Sequence, residues 1–194
     1  MMRSELPAII LASSSPRRSD LLTEVGVSFR VSVPEVEEVS NGFSPTELCV
    51  YNARLKAAAA SSRDPKEIVV AADTVVSLDD RILGKPGSMA EAMEMLAFLS
   101  GRTHEVLTGV CVRRHHDEEE VVFVETTRVT FHPLSASEIE AYLNSINPLD
   151  KAGAYAAQED NGRIIAAIDG LFSNVVGLPV ERLIEALREF PANK

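Results

Sequence analysis

The chain has 194 residues, 45% of them hydrophobic, and a formal net charge of −10 at pH 7. That length suits one domain or one two-lobed unit, and that charge repels nucleic acid and anionic membrane over most of the surface. No apolar run approaches the roughly 18–20 residues needed to span a bilayer, and the N-terminus lacks the basic, apolar and small-residue order of a signal peptide.

Residues 8–12 read as a short buried strand. Ser15 and Pro16 read as the N-cap and first residue of a helix through Leu21, Leu22 and Val25, stopped by Gly26. A second strand is expected over 29–33, then an acidic loop over 35–41. Ser44 to Glu47 forms a capping box with proline at the first helical position, opening a helix that carries Leu48, Leu55 and Lys56. Residues 68–72 make an apolar strand that ends at Asp73-Thr74, and 75–83 resembles a hairpin turning at Asp79-Asp80. A capping box over 88–91 opens a helix over 89–99, with Gly101 as its stop. Strands over 106–112 and 121–131 flank the run His115 to Glu120. That run reads as a solvated hairpin tip, with a histidine–carboxylate metal site as the alternative. A third capping box over 135–138 starts a helix through Tyr142 and Leu143. A segment rich in small residues covers 147–158, a strand 163–168, and Pro179 opens a last helix through Leu183, Ile184 and Leu187. Cys49 and Cys111 belong to no CxxC pair and fall in apolar patterns, so they read as small core residues of a reduced protein. Strands alternating with helices, with hairpins among them, predict an α/β fold with a mixed sheet.

Four places break these patterns. Arg17 and Arg18 fall in the first turn of a helix, the wrong end for cations, because a helix N-terminus is already partly positive. A strand, the serines at 13–15 and two arginines at a helix start together suit a phosphate, with Ser13 and Ser15 on its oxygens. The plainer alternative is a pair of solvated arginines. Asp73 and Thr74 close an apolar strand, a frequent place for a metal ligand or general base in α/β proteins, or merely a turn cap. Lys85, held between Gly84 and Pro86, is an anion contact or an ordinary turn lysine. Lys151 follows Asp150 in the small-residue loop that also holds Gln158. A buried glutamine both donates and accepts, as reading a base edge requires, whereas an ordinary loop glutamine reads nothing.

In chain order, LASSSPRRSDLL, AADTVV, GKP, SGRTHEVLTGV, YLNSINPLDKAGAYAAQ and NVVGLPVERL resemble the motifs of the Maf family of nucleoside triphosphate pyrophosphatases. The likeness runs almost from end to end. PLDKAGAYAAQ is similar to the branch that acts on dTTP and UTP rather than the branch that prefers 7-methyl-GTP. What the resemblance implies is a single pyrophosphatase domain over 1–194. Its fold would be a mixed twisted sheet in two lobes around a central cleft, as in inosine triphosphate pyrophosphatases. It also implies cytoplasmic hydrolysis of a nucleotide to the monophosphate and pyrophosphate, a divalent cation (magnesium or manganese) and often a homodimer.

Carried over by position, Asp73 matches the family's proton acceptor. Arg17, Thr74 and Gln158 match positions linked to substrate choice, and Arg18, Glu38, Lys56 and Lys85 match other polar positions of its site. On this reading Arg17, Arg18, Lys56, Lys85 and Lys151 supply a local positive pocket, and a metal held by Asp73 and Glu38 supplies the remaining charge. The chain departs from the family at Glu159 and Ala156, where glycines are usual, which stiffens the loop and changes its charge. Two alternatives stand beside this expectation. One is a nucleotide-binding regulator of septum formation without turnover; the other is a pyrophosphatase for purine or modified nucleotides.

Overall fold

The computed structural model describes residues 6–79 and 81–191. In chain order the elements are β1 (Ile9–Leu11), α1 (Pro16–Glu24), β2 (Phe29–Val31), α2 (Pro45–Ser61), β3 (Ile68–Leu78), β4 (Arg81–Leu83) and α3 (Met89–Leu99). There follow β5 (Thr103–Arg114), β6 (Glu119–Phe131), α4 (Ala136–Leu143), β7 (Ile165–Asp169), α5 (Phe172–Val176) and α6 (Val180–Glu189). Three short 3-10 turns occupy Pro148–Asp150, Ala152–Ala154 and Ala157–Glu159. The sheet runs β2-β1-β3-β5-β6-β7, with β4 on the end of β3. β1 is parallel to both β2 and β3, and every other pairing is antiparallel. The sheet is therefore mixed, as the alternation of hairpins and helices predicts. No helix among the described residues is long and apolar enough to cross a membrane.

The period of two along β3 sorts its side chains between two layers. Val69 and Ala71 pack with Ala53, Ala57 and Ala60 of α2, whose small side chains let the helix lie close to the sheet. Val70 and Ala72 face the other way, towards Leu22 of α1 and Leu183 and Leu187 of α6. Beyond Thr74 a separate core gathers Val76, Leu83, Leu96, Leu99, Phe131 and Tyr142 from β3, β4, α3, β6 and α4. These cores are the two lobes, and a cleft of about 650 Å³ is lined from both.

Several local expectations change. β3 does not end at Asp73 but continues through Leu78, because β5 pairs with it from Val69 to Ser77. The hairpin turn contains Asp79, at φ 52°, while Asp80 lies outside the described residues. The capping boxes at Ser44 and Ser135 form in full. At Ser88 only half forms, since Glu91 accepts from the Gly87 amide instead of the cap residue. Ser15 occupies the N-cap of α1, yet its side chain caps nothing. β2 and β7 are shorter than expected, and the five-residue α5 has too few turns to leave a periodic signal in the sequence. Both cysteines are buried and free; burial pushes the Cys49 thiol up to about 11 and that of Cys111 up to about 12.

Candidate active site

An interruption in the sheet creates the site. β1 pairs with β3 as far as Val70, and β4 joins only from Val76. Between them one edge of β3 lacks a strand neighbour. The Val70 carbonyl accepts from Ala12 on this edge. The Ala72 carbonyl, two residues on, points the same way. Lys56 of α2 fills the gap, its Nζ donating to the Ala72 carbonyl at 3.1 Å.

The same ammonium lies 2.7 Å from Asp73 Oδ1 and 3.2 Å from Glu38 Oε1. Lys56 and Asp73 are buried, whereas Glu38 is half exposed at the cleft wall. Asn52, one turn before Lys56, donates to Asp73 Oδ2 at 3.2 Å. Burial alone raises Glu38, but the ammonium of Lys56, aided by Lys85 and Arg18, holds its carboxyl below the usual range. One lysine thus serves two carboxylates and a backbone carbonyl, as buried charges require.

Gly109 makes this approach possible. It pairs with Asp73 across the ladder, and a Cβ there would lie 2.6 Å from the carbonyl carbon of Cys49 in α2. Only a residue without a side chain lets the backbone of α2 rest on β5 at this point.

Thr74, next along β3, faces the opposite layer and receives Arg18. The guanidinium donates to the Gly177 carbonyl at 2.8 Å, to Ser13 Oγ at 3.1 Å and to Thr74 Oγ1 at 3.2 Å. Thr108 Oγ1 backs Thr74 at 2.9 Å. Gly177 sits at φ 126°, a backbone open to glycine, and so turns its carbonyl to Arg18. Ser13 also accepts from the Ser15 amide at 3.2 Å. Burial lowers Arg18 from its ordinary value, with Asp73 opposing and Arg17 adding to the effect. Its described partners are all neutral oxygens, and a guanidinium carries five donors, so donors remain for an anion in the cleft.

A third group crosses the mouth of the cleft. Arg17 of α1 lies 3.5 Å from Asp150 Oδ2 of the other lobe. Lys151 is buried, and its ammonium donates to Asp150 Oδ1 and to the Asn147 carbonyl, both at 2.8 Å. Glu159 stands 3.9 Å from that ammonium and accepts from Gln158 Nε2 at 3.5 Å. Gln158 is thus exposed on the cleft rather than buried. Lys85 is exposed on the same cleft, with no hydrogen-bond or ion-pair partner among the described residues.

Every residue assigned to the nucleotide site from the sequence therefore lines this one cleft. Sequence reasoning missed Asn52, Thr108, Gly109 and Gly177. An asparagine inside an alanine-rich helix and a glycine inside an apolar strand were the available signals. Asp73 and Glu38 offer hard oxygens, and no group of three or more His, Cys, Asp or Glu gathers among the described residues. Two carboxylates suit magnesium or manganese, which take one or two and complete their shell with phosphate and water. His115 and His116 belong to no such group and sit at the β5–β6 tip.

A mixed sheet with a cleft at the open edge of one strand, walled by cations and two carboxylates, defines an α/β protein built to hold a polyanion. The same fold occurs in the solved Ham1 protein of Staphylococcus aureus, at a TM-score of 0.55 and 19% identity, covering 93% of this chain and 98% of that one. The family model described as Maf-like protein matches residues 8–190, and the chain belongs to that family. A relative named dTTP/UTP pyrophosphatase in Symbiobacterium thermophilum is 50% identical, over 94% of this chain and 93% of its own. Another of that name in Bacillus anthracis is 46% identical, over 94% and 95%.

Proposed function

We propose that residues 1–194 act as one nucleoside triphosphate pyrophosphatase domain, hydrolysing dTTP and UTP to the monophosphate and pyrophosphate. The observation that carries this reading is the Lys56-bridged pair Asp73 and Glu38, set across one cleft from Arg18 and Lys85. Relatives at 46–50% identity named dTTP/UTP pyrophosphatase support the substrate.

Asp73 accepts the proton of the water that attacks the α-phosphorus, and Lys56 and Asn52 hold its carboxylate in place. Arg18, Lys85 and Arg17 meet the charge that grows on the departing pyrophosphate, where preorganised donors act most strongly. Ser13 and Ser15, before the N-terminus of α1, offer their hydroxyls to phosphate oxygens. Thr74 holds Arg18 in position, and Gln158 presents its amide to the base. Lys151, tied to Asp150 and close to Glu159, shapes the loop that carries Gln158. Asp73 and Glu38 would hold a magnesium or manganese ion, which when bound neutralises phosphate charge. Membership of the family also supports a homodimer working in the cytoplasm.

The test is a panel of dTTP, UTP, CTP, GTP, ATP and 7-methyl-GTP with magnesium or manganese, scored for pyrophosphate release. We expect dTTP and UTP to lead clearly. Equal rates across the panel would overturn the substrate assignment, and binding without any turnover would favour a regulatory protein.

A further inference from the structure

Asn52 is one of the most heavily committed side chains in the molecule, and no sequence motif points to it. It is 3% exposed. Its Oδ1 accepts from the Val39 amide at 3.0 Å, and its Nδ2 donates to the Val39 carbonyl at 2.9 Å. The second Nδ2 hydrogen goes to Asp73 Oδ2 at 3.2 Å. Among the described residues no other hydrogen bond reaches the backbone of 34–41, the segment that carries Glu38. The amide thus copies the two-bond pairing of a neighbouring strand, for a loop that has none.

We infer that Asn52 is a positioning residue: it fixes the rotamer of Asp73 and clamps the Val39 segment, so that Asp73 and Glu38 converge on Lys56. The inference rests on the proposed pyrophosphatase reading. With Asp73 Oδ2 tied to Asn52 and Oδ1 to Lys56, the carboxylate plane is fixed from two sides. The carboxylate so held lines the cleft. With Val39 clamped, Glu38 is set within 3.2 Å of the Lys56 ammonium. Arg17, Arg18 and Lys85, which are proposed to meet the phosphates, share no hydrogen bond with Asn52 among the described residues.

This geometry separates turnover from binding. Asn52→Leu keeps the approximate volume and removes all three bonds. Asn52→Asp keeps the shape and the acceptor for the Val39 amide, but sets an oxygen against both Asp73 Oδ2 and the Val39 carbonyl. Both variants should lose kcat for dTTP by about 10- to 100-fold, the usual cost of losing a support of a reactive group. KM should stay within about threefold. Amide exchange at Val39, read by NMR, should quicken at least about tenfold in Asn52→Leu, whatever the turnover. Should both variants fold and keep kcat within about twofold of wild type, the positioning role is wrong. A raised KM at unchanged kcat also overturns it and makes Asn52 a support of the binding wall. If wild type itself releases no pyrophosphate while Val39 exchange quickens in the variant, the pyrophosphatase reading fails and the clamp alone stands.

Discussion

Lys56 shows how much one side chain does in this fold. Its ammonium satisfies the Ala72 carbonyl on the open edge of β3 and neutralises a buried aspartate. Lys56→Met keeps the length and the apolar stem but leaves Asp73 charged, buried and short of its cation. Removing one partner of a buried pair costs about 3–5 kcal/mol. We predict a loss in that range by urea unfolding, together with lost turnover. A loss under about 1 kcal/mol would mean that water already screens the pair. Neither effect was legible locally: lysine at position 56 reads as an ordinary polar residue of an amphipathic helix. The arginine pair was more legible, because two cations at a helix start violate a local electrostatic rule. What the sequence could not show was the division of labour, with Arg18 held by neutral oxygens and Arg17 paired across the cleft with Asp150.

At the scale of elements, local signals were read well where they are local. The boxes at Ser44 and Ser135 close within four residues, and the chain needs no tertiary help to form them. The end of β3 was misread for the opposite reason. A carboxylate interrupts the apolar run at Asp73, yet β5 supplies pairing on one side and α2 supplies a counter-charge on the other. Both partners come from distant sequence. Gly109 is the hinge of this arrangement, because α2 rests directly on it. Gly109→Ala would place a methyl 2.6 Å from the Cys49 backbone, so α2 must withdraw and take Lys56 with it. We expect about 1–3 kcal/mol of destabilisation, typical of overpacking, with a fall in kcat. Circular dichroism melts and a dTTP assay measure the two effects. An alanine variant as stable and active as wild type would contradict the close approach.

Across the whole molecule, acid should weaken the lobe opposite Lys56. His104 is 1% exposed, packed edge-on against Phe131 and Tyr155, with Nε2 at 2.9 Å from the Tyr155 hydroxyl. Burial pushes its pKa down to about 4. The unfolded chain, with an ordinary histidine near 6.5, therefore takes up the proton first. Stability is complete above about pH 6.5 and drains as pH falls towards 4, by roughly 3 kcal/mol from this residue. His104→Gln should flatten the stability curve of wild type across that window, as read by denaturant unfolding at a series of pH values. Parallel curves would assign the acid sensitivity elsewhere. Tyr155 also lines the cleft, so this lobe couples its packing to the loop that carries Gln158.

The central claim is that one cleft binds a nucleoside triphosphate through its cations and hydrolyses it through Asp73. Asp73→Asn tests it most directly, because the backbone there is fixed by pairing with Gly109 and the shape scarcely changes. Asparagine accepts no proton from water at neutral pH, and loss of a general base costs about 10²- to 10⁴-fold in rate. The measurement is pyrophosphate release from dTTP and UTP by the purified variant, beside nucleotide binding by calorimetry and a thermal melt. The account predicts a melt within a few degrees of wild type, retained binding through Arg18 and Lys85, and a rate reduced at least about 100-fold. A folded Asp73→Asn protein that releases pyrophosphate at close to the wild-type rate would contradict it and move the base to Glu38.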